Sequence, residues 1–126
     1  MNKIILIVDD EMPTRTLLRI MLQGAGYTTF EAEDGEEALA AVAQYQPDAL
    51  LLDVMMPNMD GFTVCKTLRD DKKTASLPII MLSADTSSST AIKGIEAGAN
   101  LFLTKPVPRD NLLKVLEDAF ATLPIT

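Results

Sequence analysis

The sequence predicts an α/β fold, doubly wound, in which five strand–helix units surround one parallel sheet, and three observations carry that prediction. Short apolar runs of strand length recur at 4–8, 48–52, 79–82 and 100–103. Each is apolar at consecutive positions, as in strands covered on both faces. Helical apolar stripes lie between them, and strict alternation of the two implies a parallel sheet with right-handed crossovers. Acids, a hydroxyl and an amine then recur at the strand ends, at Asp9-Asp10-Glu11, Asp53, Ser83 and Lys105.

Each element has its own signal. Ile4-Ile5-Leu6-Ile7-Val8 forms the first strand. Pro13 suits the first turn of the helix that follows, in which Leu17, Leu18, Met21, Leu22 and Ala25 share one face. Gly24 and Gly26 lie where that helix should stop. Tyr27-Thr28-Thr29-Phe30-Glu31 mixes polar and apolar residues and is placed at an edge of the sheet. Asp34-Gly35-Glu36-Glu37 opens the second helix with acids at its positive end. The third strand runs through Leu50-Leu51-Leu52 into Asp53, and Gly61, Val64, Cys65 and Leu68 make one face of the third helix. Asp70 to Ser76 reads as a loose polar loop ahead of Ile79-Ile80-Met81-Leu82-Ser83. The fourth helix starts in Thr86-Ser87-Ser88-Ser89-Thr90 and stops at Gly98. Leu101-Phe102-Leu103 then leads to Lys105-Pro106, and Leu112, Leu116, Ala119, Phe120 and Leu123 stripe the last helix before Pro124 ends it.

The totals bound the function. A chain of 126 residues is one domain, 1–126, with a core over 3–122 and a tail or linker start at 123–126. A net charge of −7 argues against direct binding to nucleic acid or an anionic membrane. No apolar stretch approaches a membrane span, no signal peptide is legible, and the lone Cys65 allows no internal disulfide, so a cytoplasmic location is expected. Histidine is absent, which removes catalytic triads and histidine metal sites. Carboxylate, hydroxyl and amine chemistry is what is left.

Ligands of open α/β sheets bind beyond the carboxyl ends of the strands. Asp9, Asp10 and Asp53 converge there if the first and third strands are neighbours. Two carboxylates ~5 Å apart repel by roughly 3 kcal/mol at an effective dielectric of 20. Three acids make three such pairs, more than the single ammonium of Lys105 offsets. Either some acids are protonated or a divalent cation belongs among them, and an all-oxygen set suits Mg²⁺. An acid cluster of this kind with a further hydroxyl and lysine suits phosphoryl transfer to a carboxylate.

Here the chain resembles the receiver domains of two-component response regulators, over nearly its whole length. The resemblance rests on Val8-Asp9-Asp10, Leu52-Asp53 with Met56-Pro57 and Met59-Asp60-Gly61, Ser83-Ala84, Gly98-Ala99 and Lys105-Pro106, in that order. It implies a flavodoxin-like (βα)5 fold with strand order 2-1-3-4-5. It further implies that Asp53 accepts a phosphoryl group, and that Asp9, Asp10, Asp53 and the backbone carbonyl of Met55 hold Mg²⁺, with Mn²⁺ as a substitute. Ser83 would hydrogen-bond the phosphoryl group and Lys105 would pair with it. Ser83 and Phe102 would form the switch pair, and the Lys105–Pro106 peptide is often cis. Met55 and Asp85, each two residues past a site residue, would tune reaction rates. The donor would be a phosphohistidine on a sensor histidine kinase or a histidine phosphotransfer protein, and small acyl phosphates could also serve. The surface from about Thr86 to Phe120 would be rearranged to control an output, and a phosphorylation-dependent homodimer is compatible with that.

Plainer readings compete. Asp10 alone would serve as a helix cap, though the Asp9-Asp10 pair goes beyond what a cap requires. Asp60 is better read as the cap of the third helix than as a fourth ligand. Cys65 is core, and Met55, Met56 and Met59 are loop packing. Two rival functions are a receiver-like binding module independent of phosphorylation and a turnover aspartyl-phosphate phosphatase. The second lacks its usual Asp-x-Asp motif and cap domain.

Overall fold

Strand side chains alternate between two apolar layers, and that alternation decides where each helix packs. The computed structural model describes residues 2–121. Along the chain run β1 (Ile4–Val8), α1 (Met12–Gly24), β2 (Thr28–Ala32), α2 (Gly35–Tyr45) and β3 (Ala49–Asp53). There follow α3 (Gly61–Asp70), β4 (Ile79–Ser83), α4 (Ser88–Ala97), β5 (Leu101–Thr104) and α5 (Arg109–Ala121). The strands pair in parallel in the order β2-β1-β3-β4-β5.

Leu6, Val8, Leu50, Leu52, Ile79 and Met81 face one layer, where Ala38 and Val42 of α2, Val64 and Leu68 of α3 and Ala97 of α4 cover them. Ile5, Ile7, Leu51, Ile80 and Leu82 face the other, under Leu18 and Leu22 of α1 and Leu112 and Leu116 of α5. Full burial of such a side chain contributes roughly 1.5–3 kcal/mol, so the central strands β1, β3 and β4 anchor the molecule. Cys65 is wholly buried in the first layer, as core.

Several expectations need correction. The second, third and fifth strands each begin one residue later than the sequence places them. Asp48 explains the shift at β3: its carboxylate accepts from the Ile4 N–H at 2.7 Å, holding it at the sheet's mouth. β5 holds the edge that the order 2-1-3-4-5 gives it, but it is not buried on both faces as its apolar run indicated; Leu101 is exposed. On α1, Leu17 and Ala25 point to solvent, because the helix spends its inner face on Leu18 and Leu22. The loop ahead of β4 is not loose. Arg69 at the end of α3 donates to the carbonyls of Thr74 and Ala75, and also to Gly98 and Asn100. Leu123, Pro124 and the tail lie outside the described residues.

Caps set the helix boundaries. Asp34 accepts from Glu37 N–H at 2.8 Å to start α2, Asp60 from Thr63 N–H at 2.9 Å to start α3, and Ser87 from Thr90 N–H to start α4. Gly98 ends α4 at φ 111°, a left-handed conformation that suits glycine.

Candidate functional site

Register brings the polar strand ends together. Val8 pairs with Leu52, so Asp9 follows at the level of Asp53. Asp53 pairs with Leu82, and Ser83 with Thr104, which leaves Lys105 one residue beyond Ser83. The Lys105 N–H continues that ladder to the Ser83 carbonyl at 2.8 Å.

Among the described residues the buried polar or charged ones are Asp9, Asp53 and Ser83, at 1%, 5% and 1% exposure. A chain that buries polar groups sparingly has placed them all at this one sheet edge, which is where a function repays their desolvation. Asp10 stands beside them, exposed, and one carboxylate oxygen from each of Asp9, Asp10 and Asp53 lies within 4.8 Å of the others. Lys105 Nζ reaches Asp9 Oδ2 at 2.6 Å and Asp53 Oδ1 at 3.1 Å.

One ammonium does not neutralise that cluster. Burial, then the neighbouring Asp9, push the Asp53 carboxyl up to about 6, against the pull of Lys105, and Asp10 adds to the rise. Burial acts to lower the Lys105 ammonium, but hydrogen bonding to Asp9 and the charge of Asp53 outweigh it and hold it above the ordinary lysine range. An all-oxygen donor set with excess negative charge fits a hard divalent cation such as Mg²⁺.

Backbone details support the acids. Asp9 Oδ1 accepts from the Glu11 N–H at 2.9 Å, and Arg15 Nη1 donates to the Asp9 carbonyl at 2.7 Å while its Nε holds Glu31. Arg15 thus pins the backbone of the first acid of the Asp9-Asp10 pair. Sequence reasoning missed it, because a lone arginine on a helix has no signature until the helix is docked. Asp10 does not cap α1: Glu11 occupies the N-cap and makes no side-chain cap bond. Gly61 lies directly on the end of β3. A Cβ there would collide with the Asp53 carbonyl oxygen, and the Gly61 N–H donates to Val54 at 2.9 Å.

The remaining predicted residues fall around this core. The Lys105–Pro106 peptide is cis. Ser83 accepts from the Asp85 N–H at 3.0 Å. Phe102 is half-buried against the first layer, its ring beside Gly94 of α4. Met56 and Met59 pack on that layer, whereas Met55 is 71% exposed and packs on little. Asp85 spends both carboxylate oxygens on Ser87 and Thr90. A groove of about 400 Å³ between α1 and the β5–α5 turn, lined by Leu17, Leu82, Lys105 and Pro106, opens beside the site.

Comparison with known proteins points the same way. The family model described as "Response regulator receiver domain" matches residues 5–117. Over 109 residues the chain is 43% identical to the DNA-binding dual master transcriptional regulator RpaA of Synechocystis, covering 86% of this chain and 45% of that protein. The chain spans about a quarter to a half of the length of the curated relatives it matches. Among solved structures, the Vibrio cholerae chemotaxis protein CheY4 superposes with a TM-score of 0.89 at 36% identity, covering 94% of this chain and 99% of that one. The receiver domain of the Pseudomonas aeruginosa sensor histidine kinase PA1611, described with a magnesium ion coordinated in its active site cleft, superposes at 0.90 with 28% identity, covering 97% and 100%. Sequence, sheet order and the acid-lined edge agree: the chain belongs to the response regulator receiver domain family.

Proposed function

We propose that this chain is a phosphorylation-activated switch in which Asp53 takes a phosphoryl group from a phosphohistidine donor. The observation that carries the reading is a buried carboxylate held at 3.1 Å from Lys105, with Asp9 and Asp10 gathered at the same edge. An oxygen of Asp53 attacks phosphorus in line; the P–N bond to the donor imidazole breaks and its electron pair leaves on nitrogen. Lys105 pairs with a phosphoryl oxygen and Ser83 donates a hydrogen bond to another. Asp9, Asp10, Asp53 and the Met55 carbonyl are the groups that would hold Mg²⁺, or Mn²⁺ in its place. When bound, the ion supplies charge neutralisation at the phosphoryl oxygens. Met55 and Asp85 would adjust the rates.

The new charge, close to two units, biases a two-state element. Ser83 moves toward the phosphoryl group, Phe102 follows by packing alone since it has no hydroxyl, and the α4–β5–α5 surface changes. The donor would be a sensor histidine kinase or a histidine phosphotransfer protein in the cytoplasm. The RpaA likeness supports a transcriptional output carried by other sequence, and the charge of −7 keeps nucleic acid off this domain.

Intact mass after incubation with acetyl phosphate tests the reading, with and without Mg²⁺ and with Asp53→Asn beside the native chain. One phosphoryl group gained only with Mg²⁺ and only in the native chain is expected. No gain from acetyl phosphate or from a phosphohistidine donor would leave a binding module that works without phosphorylation.

A further inference from the structure

Ser83 and the first turn of α4 are joined by an unbroken run of hydrogen bonds through Asp85. The Ser83 hydroxyl oxygen accepts from the Asp85 backbone N–H at 3.0 Å. The Asp85 carboxylate accepts in turn from the Ser87 N–H at 2.8 Å and the Thr90 hydroxyl at 2.7 Å. Ser87 closes the group: it caps α4 and donates through its own hydroxyl to Thr90 at 3.0 Å. The far end of the helix is tied separately, where Arg69 Nε donates to the Gly98 carbonyl at 2.9 Å. Between the two ends, Gly94 rests on the Phe102 ring.

The direction of the Asp85 side chain bears on its role. At two residues past Ser83 it is expected to face the phosphoryl approach, repelling donors or orienting water. Its two oxygens are instead occupied by α4 donors. The Thr90 hydroxyl first, and then Ser87, hold its carboxyl below the usual range, as a charged capping group requires. Asp85 is therefore placed to read the position of Ser83 on one side and to hold a helix start on the other.

We infer that Asp85 is a positioning residue that couples the Ser83 hydroxyl to the N-terminus of α4, so that drawing Ser83 away from the Asp85 N–H loosens the first turn of that helix. This rests on the reading of Ser83 as the switch hydroxyl and supplies the route by which its movement reaches the output surface. The Asp85 N–H cannot keep a 3.0 Å bond to a hydroxyl that has moved toward Asp53. Once released, the Asp85 backbone can turn, and its carboxylate loses its aim at Ser87 and Thr90. Arg69 holds the other end, so the displacement is confined to the start of α4.

Residue-resolved amide exchange on the whole chain, first without Mg²⁺ or phosphoryl donor and then with Mg²⁺ and acetyl phosphate, tests the coupling in the native protein, Ser83→Ala and Thr90→Val. Ser83→Ala is expected to speed exchange at Ser87 and Thr90 by about three- to tenfold, the scale of a lost cap, although neither residue bonds to Ser83. Thr90→Val should speed the same amides while the chain still takes up one phosphoryl group. Phosphorylation should speed them in the native chain and add nothing in Ser83→Ala, a pattern that a merely structural cap would not produce. Exchange in Ser83→Ala that rises at Asp85 alone overturns the coupling, as do unchanged amides in a phosphorylated native chain. Intact mass of the same samples reports phosphorylation separately. An absent gain sinks the switch reading, while the exchange of unmodified Ser83→Ala still decides the coupling.

Discussion

The Lys105 ammonium is bound more closely to Asp9, at 2.6 Å, than to the proposed acceptor Asp53, at 3.1 Å. The lysine thus ties β5 to β1 across the end of the sheet as well as facing the acceptor. Its removal should therefore affect stability and phosphoryl transfer together.

Lys105→Met leaves Asp9 and Asp53 buried and without their shared cation. Breaking a buried pair on one side costs about 3 kcal/mol, and some of that is recovered when Asp53 takes up a proton. Urea denaturation in chelator should show the loss, and added Mg²⁺ should restore most of it. An equal loss in both conditions would mean that the acids do not bind the ion.

The raised Asp53 carboxyl makes a definite pH prediction. A group whose pKa is higher in the fold, here about 6 against an ordinary 3.8, gives a contribution present below the lower value and lost as pH rises through the higher. The native chain without Mg²⁺ should therefore lose stability relative to Asp53→Asn between about pH 4 and pH 6, by roughly 3 kcal/mol at most. Thermal melts of the two proteins across that window measure it, and parallel curves would refute the shift.

Gly61→Ala should act on the acceptor without touching its chemistry. The added Cβ meets the Asp53 carbonyl oxygen and the Val54 backbone, neither of which can rotate away. A cost of roughly 1–3 kcal/mol is expected, with slower phosphoryl uptake from acetyl phosphate because the strand end has moved. Unchanged stability and rate would show that α3 shifts freely.

Asp60→Ala separates a cap from a ligand. Losing the bond to the Thr63 N–H should lower stability by about 1 kcal/mol. Mg²⁺-dependent phosphorylation should stay at native level. A weakened Mg²⁺ requirement would return Asp60 to the ligand set.

Much of this was legible in the chain. Four apolar runs at strand spacing, with the mixed Tyr27–Glu31 stretch between helices, gave five parallel units, because a strand covered on both faces has to be apolar at consecutive positions, and that shows in one dimension. Asp9, Asp53, Ser83 and Lys105 were legible for the complementary reason: a polar residue closing so apolar a run is costly unless something uses it. Strand order was not derivable from spacing; it came with the family resemblance, since no local rule says that β3 lies beside β1. The mixed polarity of β2 announced its place at an edge, whereas the place of β5 came with the strand order of the resemblance, and its apolar run was misread in burial alone.

What depended on the folded chain is everything carried between elements distant in sequence. Arg15 holds the Asp9 carbonyl, Arg69 ties α3 to the end of α4, and Asp85 turns from the phosphoryl approach to the start of α4. Hydrogen-bond direction depends on backbone angles and docking of whole helices, and neither leaves a periodic trace. The sequence therefore named the residues that bear charge at the site, and the packing assigned those that hold them in place.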